Sequence, residues 1–146
     1  MFGTGYVGLV SVVCFSDFGH EVVCVDKYPS KIEMLERGEV PIYEPGLDAL
    51  MAKNVEAGRL SFTLDLEKAM DGAQAVFIAV GTPTRRGDGH ADLSYVMAAA
   101  DEIARPAKAH VVHLTKSTVP VGTNRPDNTA VRNTITPVEI EVASPP

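Results

Sequence analysis

Little in this chain is equipped for disulfide or metal chemistry. It has two cysteines, Cys14 and Cys24, and both lie in apolar stretches, where a thiol behaves as a small buried hydrophobe, so no disulfide framework is expected. Neither belongs to a Cys-x-x-Cys pair, and His20, His90, His110 and His113 show no ligand spacing with them, so no metal site is expected. No apolar run approaches the roughly 18 residues that cross a bilayer, and no basic segment followed by an apolar one opens the chain. A cytoplasmic protein with no membrane partner is the expectation. Basic residues do not cluster either: Arg85-Arg86 is only a pair, the net charge is −6, and a nucleic-acid surface is not expected. Repeats and low-complexity segments are lacking as well.

What is present reads as one soluble globular domain: 146 residues, 45% apolar and 22% charged, enough to bury a substantial core. Its organising feature is Phe2-Gly3-Thr4-Gly5-Tyr6-Val7-Gly8, a G-x-G-x-x-G loop. In a phosphate-binding turn the first glycine permits the turn, the second lets backbone approach the phosphates, and the third lets the following helix pack on the sheet. A helix from about Tyr6 would aim its unpaired N–H groups and positive dipole end at a pyrophosphate. Eighteen residues after Gly8, the run Val22-Val23-Cys24-Val25 ends in Asp26, where a dinucleotide fold places the acid that accepts from the adenosine ribose. The competing role, a cap for the next helix, is weaker because Ser30 and Glu33 form a capping-box pattern. Only Met1 and Phe2 precede Gly3, so the first strand is expected as a stub.

Along the chain, Val7–Phe18 reads as a nearly all-round apolar helix ended by Gly19, Glu21–Val25 as a strand buried on both faces, and Lys31–Arg37 as a helix closed by Gly38. Val40–Gly46, with two prolines and a glycine, is an ordered loop before a helix over Leu47–Ala57. Leu60–Thr63 is a strand, Asp65–Met70 a short helix, and Gln74–Val80 a strongly apolar strand. Asp92 is expected to cap a helix through about Ile103, and His110–Thr115 is a further strand. The alternation predicts an α/β fold, Rossmann-type and doubly wound, with a mostly parallel sheet covered by helices on both faces and strand order 3-2-1-4-5-6. Polar residues follow two strand ends, at Gly81-Thr82-Pro83-Thr84 and Lys116-Ser117-Thr118, where such sheets gather ligands. Beyond Asn124 the pattern blurs into a turn, a weak helix over Ala130–Thr136 and a possible strand over Val138–Ala143.

In this order and at these intervals, GTGYVGLV, VDKYPSKIE, PIYEPGL, VGTPT and KSTVPVGT resemble the N-terminal domain of the UDP-glucose 6-dehydrogenases, within the UDP-glucose/GDP-mannose dehydrogenase family. The resemblance covers roughly residues 3 to 123 and implies that residues 1–146 are one NAD-binding domain. It implies that Gly3, Thr4, Gly5, Tyr6, Val7 and Gly8 line the NAD pyrophosphate, that Asp26 binds the adenosine ribose, and that Lys31 is a basic cofactor contact; a solvated helix lysine is the alternative at that position. Thr82, Ser117 and Thr118 then lie near the nicotinamide side, and Thr118 matches the threonine that helps to position the hydrolytic water. Tyr43 is more like the UDP-glucose members than those acting on GDP-mannose or UDP-N-acetylmannosamine.

The family reaction oxidises C6 of UDP-glucose twice with two NAD, through a thiohemiacetal and a thioester on a cysteine, and its members are homodimers. That cysteine lies in a GGxCFPKD-like segment with no counterpart in these residues, and Cys14 and Cys24 do not match it. This chain alone is therefore expected to be inactive on the sugar. Three other readings stay open: a noncatalytic dinucleotide-binding module, a related nucleotide-sugar dehydrogenase acting on GDP-mannose or UDP-N-acetylmannosamine, and a short relative of the hydroxyacid dehydrogenases.

Overall fold

The computed structural model describes residues 1–85, 91–106 and 111–119. They fall into two units, one spanning Met1–Ala69 and the other beginning at Met70.

In the first unit the order is α1 (Tyr6–Asp17), β1 (Val22–Val25), α2 (Pro29–Glu36), α3 (Leu47–Glu56) and β2 (Leu60–Thr63), with α4 (Leu66–Met70) at its end. The strands β1 and β2 run parallel, Val22 opposite Leu60 and Val25 opposite Thr63. Phe2 makes a parallel bridge to Val25, on the β1 strand. Around that bridge the Gly3 amide donates to the Val25 carbonyl and the Val25 amide to the Met1 carbonyl, each at 2.8 Å. The stub, β1 and β2 thus follow the expected 1-2-3 neighbour order. Leu9, Val12 and Val13 of α1 close over Cys24, Leu60 and Phe62, with Ile32, Leu35, Leu47 and Met51 completing the core. Truncating one such side chain, Leu9→Ala for example, costs about 2–5 kcal/mol through lost transfer energy and a cavity.

Two expectations shift in this unit. Phe18 is 76% exposed at the end of α1, outside the core. The capping box does not form: α2 starts at Pro29, with Tyr28 at the cap position and no side-chain cap bond, so Ser30 lies inside the helix. Proline at the first helical position has its φ already set, which moves the start ahead of the serine. Glycine does end α1 and α2, Gly19 at φ 99° and Gly38 at φ 80°.

The second unit holds β3 (Ala75–Ile78), α5 (Ser94–Ala104) and β4 (Val112–Thr115). The strands pair in parallel, Ala75 opposite Val112 and Ile78 opposite Thr115. Helix α5 packs on β3 and buries Val96, Ala99 and Ile103, which share one face. Asp92 sits one residue ahead of the cap position, Leu93, and its Oδ1 accepts the Ser94 amide at 3.0 Å. The expectations for His90, His110, Pro120–Thr123 and everything beyond Asn124 lie outside the described residues.

Candidate functional site

The site begins where the stub becomes α1. Gly3 is buried and has φ 110°, a backbone region that side chains disfavour, so the turn out of the bridge requires glycine there. Gly5 is the N-cap of α1 in an extended conformation, and no side chain caps the helix. A Cβ built on Gly5 meets nothing within 4 Å, so the missing side chain leaves open space in front of the first helical turn. Gly8 is buried along the helix, as close packing needs. The positive φ thus falls on the first glycine and the open space on the second, in the order expected, while the third is buried in the helix.

Asp26, one residue past β1, is brought to this loop. It is 7% exposed. Its Oδ2 accepts the Thr4 amide at 2.9 Å and the Thr4 hydroxyl at 2.5 Å, and its Oδ1 accepts the Tyr28 amide at 3.1 Å. Lys31 Nζ stands 3.6 Å from Oδ2 and also lies over the Tyr28 ring, 5.0 Å from its centre. Burial by itself pushes the Asp26 carboxyl upward; the two Thr4 bonds, the Tyr28 amide and the Lys31 charge outweigh it and hold the group ionised, below the ordinary carboxylate value. The bond to Tyr28 is a local turn contact, so the acid has a structural duty as well. Beneath the loop, burial drives the Cys24 thiol up to about 12, which makes it a neutral hydrophobe rather than a nucleophile.

Two features escaped the sequence. The Tyr6 hydroxyl at the start of α1 donates to the Glu44 carboxylate, which ties the Val40–Gly46 loop to the helix start; Tyr43 beside it is 90% exposed. Thr4 is the other: at 1% exposure its side chain is spent on Asp26.

In the second unit, Ser117 follows β4, and its hydroxyl donates to the Val80 carbonyl at 2.7 Å beyond the end of β3. Thr82 is half-buried four residues past β3, and Thr118 is exposed. All three lie at carboxyl ends of parallel strands. No group of three or more His, Cys, Asp or Glu side chains among the described residues is arranged to hold a metal ion. No helix among them is long and apolar enough to cross a membrane.

A glycine turn opening on an uncapped helix start, with an ionised acid at the end of the adjacent parallel strand, defines a Rossmann-type dinucleotide-binding fold. The comparisons narrow it. Along residues 1–146 the chain belongs to the UDP-glucose/GDP-mannose dehydrogenase family, NAD binding domain. It is 59% identical over its whole length to a UDP-glucose 6-dehydrogenase of Rhizobium meliloti (strain 1021), of which it covers 33%. It resembles the structure of a UDP-glucose dehydrogenase from Pyrobaculum islandicum with TM-score 0.87 and 42% identity, over 97% of this chain and 33% of that one. A ternary complex of GDP-mannose dehydrogenase from Pseudomonas aeruginosa matches with TM-score 0.87 and 36% identity, over 97% and 34%. The chain thus spans about a third of the length of these relatives.

Proposed function

We propose that this chain is the NAD-binding portion of a cytoplasmic, homodimeric UDP-glucose 6-dehydrogenase, which oxidises UDP-glucose to UDP-glucuronate with two NAD for polysaccharide precursor synthesis. The observation that carries the cofactor role is the ionised Asp26 held against the glycine turn. The choice of sugar rests on the 59% identity over 146 residues to a UDP-glucose enzyme, higher than the 42% over 127 residues to a GDP-mannose 6-dehydrogenase.

Residues 1–146 act in this reading as one domain. The amides of Gly5, Tyr6 and Val7 hold the pyrophosphate, with Gly3 and Gly8 shaping the turn, Thr4 within it, and the dipole of the 12-residue α1 behind it. Asp26 and Lys31 bind the adenosine ribose. Thr82, Ser117 and Thr118 face the nicotinamide side, and Thr118 orients the water for the final hydrolysis. The nicotinamide ring supplies a hydride acceptor; the chain's residues fix its position, and approximation of that kind is worth roughly 7–11 kcal/mol of barrier when the sugar is held as well.

Asp26 also sets cofactor choice. A 2′-phosphate beside a carboxylate of like charge in a partly desolvated site is repelled by a few kcal/mol, softened by Lys27 and Lys31. Calorimetric titration of the chain with NAD and NADP, followed by an assay with UDP-glucose, tests the reading. We expect NAD to bind at least tenfold tighter than NADP, with no UDP-glucose-dependent NADH formation by this chain alone. Equal or tighter NADP binding would overturn the cofactor assignment, and turnover would overturn the need for residues outside the chain.

A further inference from the structure

Thr4 occupies the loop position between the first two glycines, yet its side chain is closed off from any ligand at 1% exposure. Both of its donors, amide and hydroxyl, converge on a single oxygen, Oδ2 of Asp26, at 2.9 and 2.5 Å. A carboxylate offers about four lone-pair directions, two on each oxygen. Thr4 takes both on Oδ2. The Tyr28 amide takes one on Oδ1, at 3.1 Å. The remaining acceptor direction is on Oδ1.

We infer that Thr4 is a positioning residue: it pins Oδ2 so that Oδ1 of Asp26 is the oxygen presented to a ribose hydroxyl. The inference rests on the NAD-binding reading for its ligand, but the pinning itself is a property of the free chain. The hydroxyl matters separately from the backbone because the amide is kept in every substitution at position 4 except proline. Only the hydroxyl is removed by Thr4→Val, which conserves volume and β-branching. The charged and titratable groups near Asp26 among the described residues are Lys31 on α2, 3.6 Å away, Lys27 next to it in the chain, and the neutral Cys24 thiol on β1; the Thr4 hydroxyl is an uncharged side-chain donor to this carboxylate.

The test compares wild type, Thr4→Val, Thr4→Ala and Thr4→Ser, each checked for a cooperative melt. One readout is ligand-free: the Asp26 carboxyl titration followed by NMR. The other is affinity for NAD and for an NAD analogue whose adenosine lacks both ribose hydroxyls, between pH 5 and 8. We expect Thr4→Val and Thr4→Ala to raise the Asp26 titration, weaken NAD tenfold or more, leave the dideoxy analogue within about twofold of wild type, and make NAD affinity fall towards pH 5. Thr4→Ser should restore wild-type behaviour. An unmoved Asp26 titration overturns the inference whether or not NAD binds. Equal losses for NAD and the dideoxy analogue overturn it too, since Thr4 then acts by shaping the loop. Failure of wild type to bind NAD while Asp26 still responds to Thr4→Val refutes the NAD-binding reading and the role of Oδ1 together, and leaves the pinning as structure only.

Discussion

The side-chain amide of Asn54, 0% exposed within α3, donates to the Asp17 carboxylate on the last residue of α1 at 3.3 Å. The same amide group donates to the Leu50 carbonyl at 2.9 Å, and Asn54 Oδ1 accepts from the Arg59 guanidinium at 2.8 and 3.2 Å. Arg59 Nε in turn reaches the Ser16 carbonyl at 3.0 Å, an acceptor near the end of α1. One buried amide therefore joins the end of α1 to α3 and to the approach to β2. Removing it as Asn54→Ala takes one hydrogen-bond partner each from the Asp17 carboxylate, the Leu50 carbonyl and the half-buried Arg59 guanidinium, and each such loss costs about 0.5–1.5 kcal/mol. We predict a destabilisation of about 2 kcal/mol by urea unfolding; a loss below about 0.5 kcal/mol, the range of an ordinary surface substitution, would show that the network does not hold α1.

Gly5 separates folding from binding. An added Cβ meets no protein atom within 4 Å, and φ of −69° suits an L-residue. Gly5→Ala is therefore expected to cost no more than about 1 kcal/mol, the ordinary price of alanine at an N-cap. The new methyl group nevertheless stands where a pyrophosphate would approach the helix start, so NAD affinity should drop at least tenfold. Paired melting and titration experiments check this; unchanged NAD affinity would place the phosphates elsewhere. Gly3→Ala, at φ 110°, should instead lower the melting temperature itself.

Acid should dissect the role of Asp26. Its folded carboxyl titrates below the unfolded value of about 3.9, so the stability it contributes is complete above that pH and fades as pH falls through the folded value. The difference in urea midpoint between wild type and Asp26→Asn should stay constant from pH 8 to 5 and close below about pH 4. Asp17, Glu39 and Asp92 are also held low by their partners, but they titrate alike in both proteins and cancel in the comparison. A gap that persists unchanged to pH 3 would mean that Asp26 is not stabilised as a carboxylate.

Much of this arrangement was legible in the residues because it depends on local rules. Leu60–Thr63 is the strand that its apolar pattern predicts, and glycines close α1 and α2 where expected. The glycine turn and Asp26 could be paired because a parallel strand order brings a loop and the next strand's end together. What was missed depends on tertiary placement. Tyr6 meets Glu44 across 38 residues of chain, which no periodicity announces. Helix α2 starts ahead of the point its serine-based pattern marks because Pro29 competes with Ser30 for the helix entry, and such a pattern does not weigh the proline. Asn54 left a usable trace: Leu47, Met51 and Asn54 are spaced i, i+4, i+7, so a polar residue lay on the buried stripe of α3. Thr4 left none, since a residue between two glycines reads as loop lining until its burial is known.

A structure of the chain with NAD bound tests the central claim most directly. The account predicts an adenosine ribose hydroxyl within hydrogen-bond distance of Asp26 Oδ1 and the pyrophosphate against the backbone amides of Gly5, Tyr6 and Val7. Density for the dinucleotide away from the start of α1, with Asp26 untouched, would contradict it.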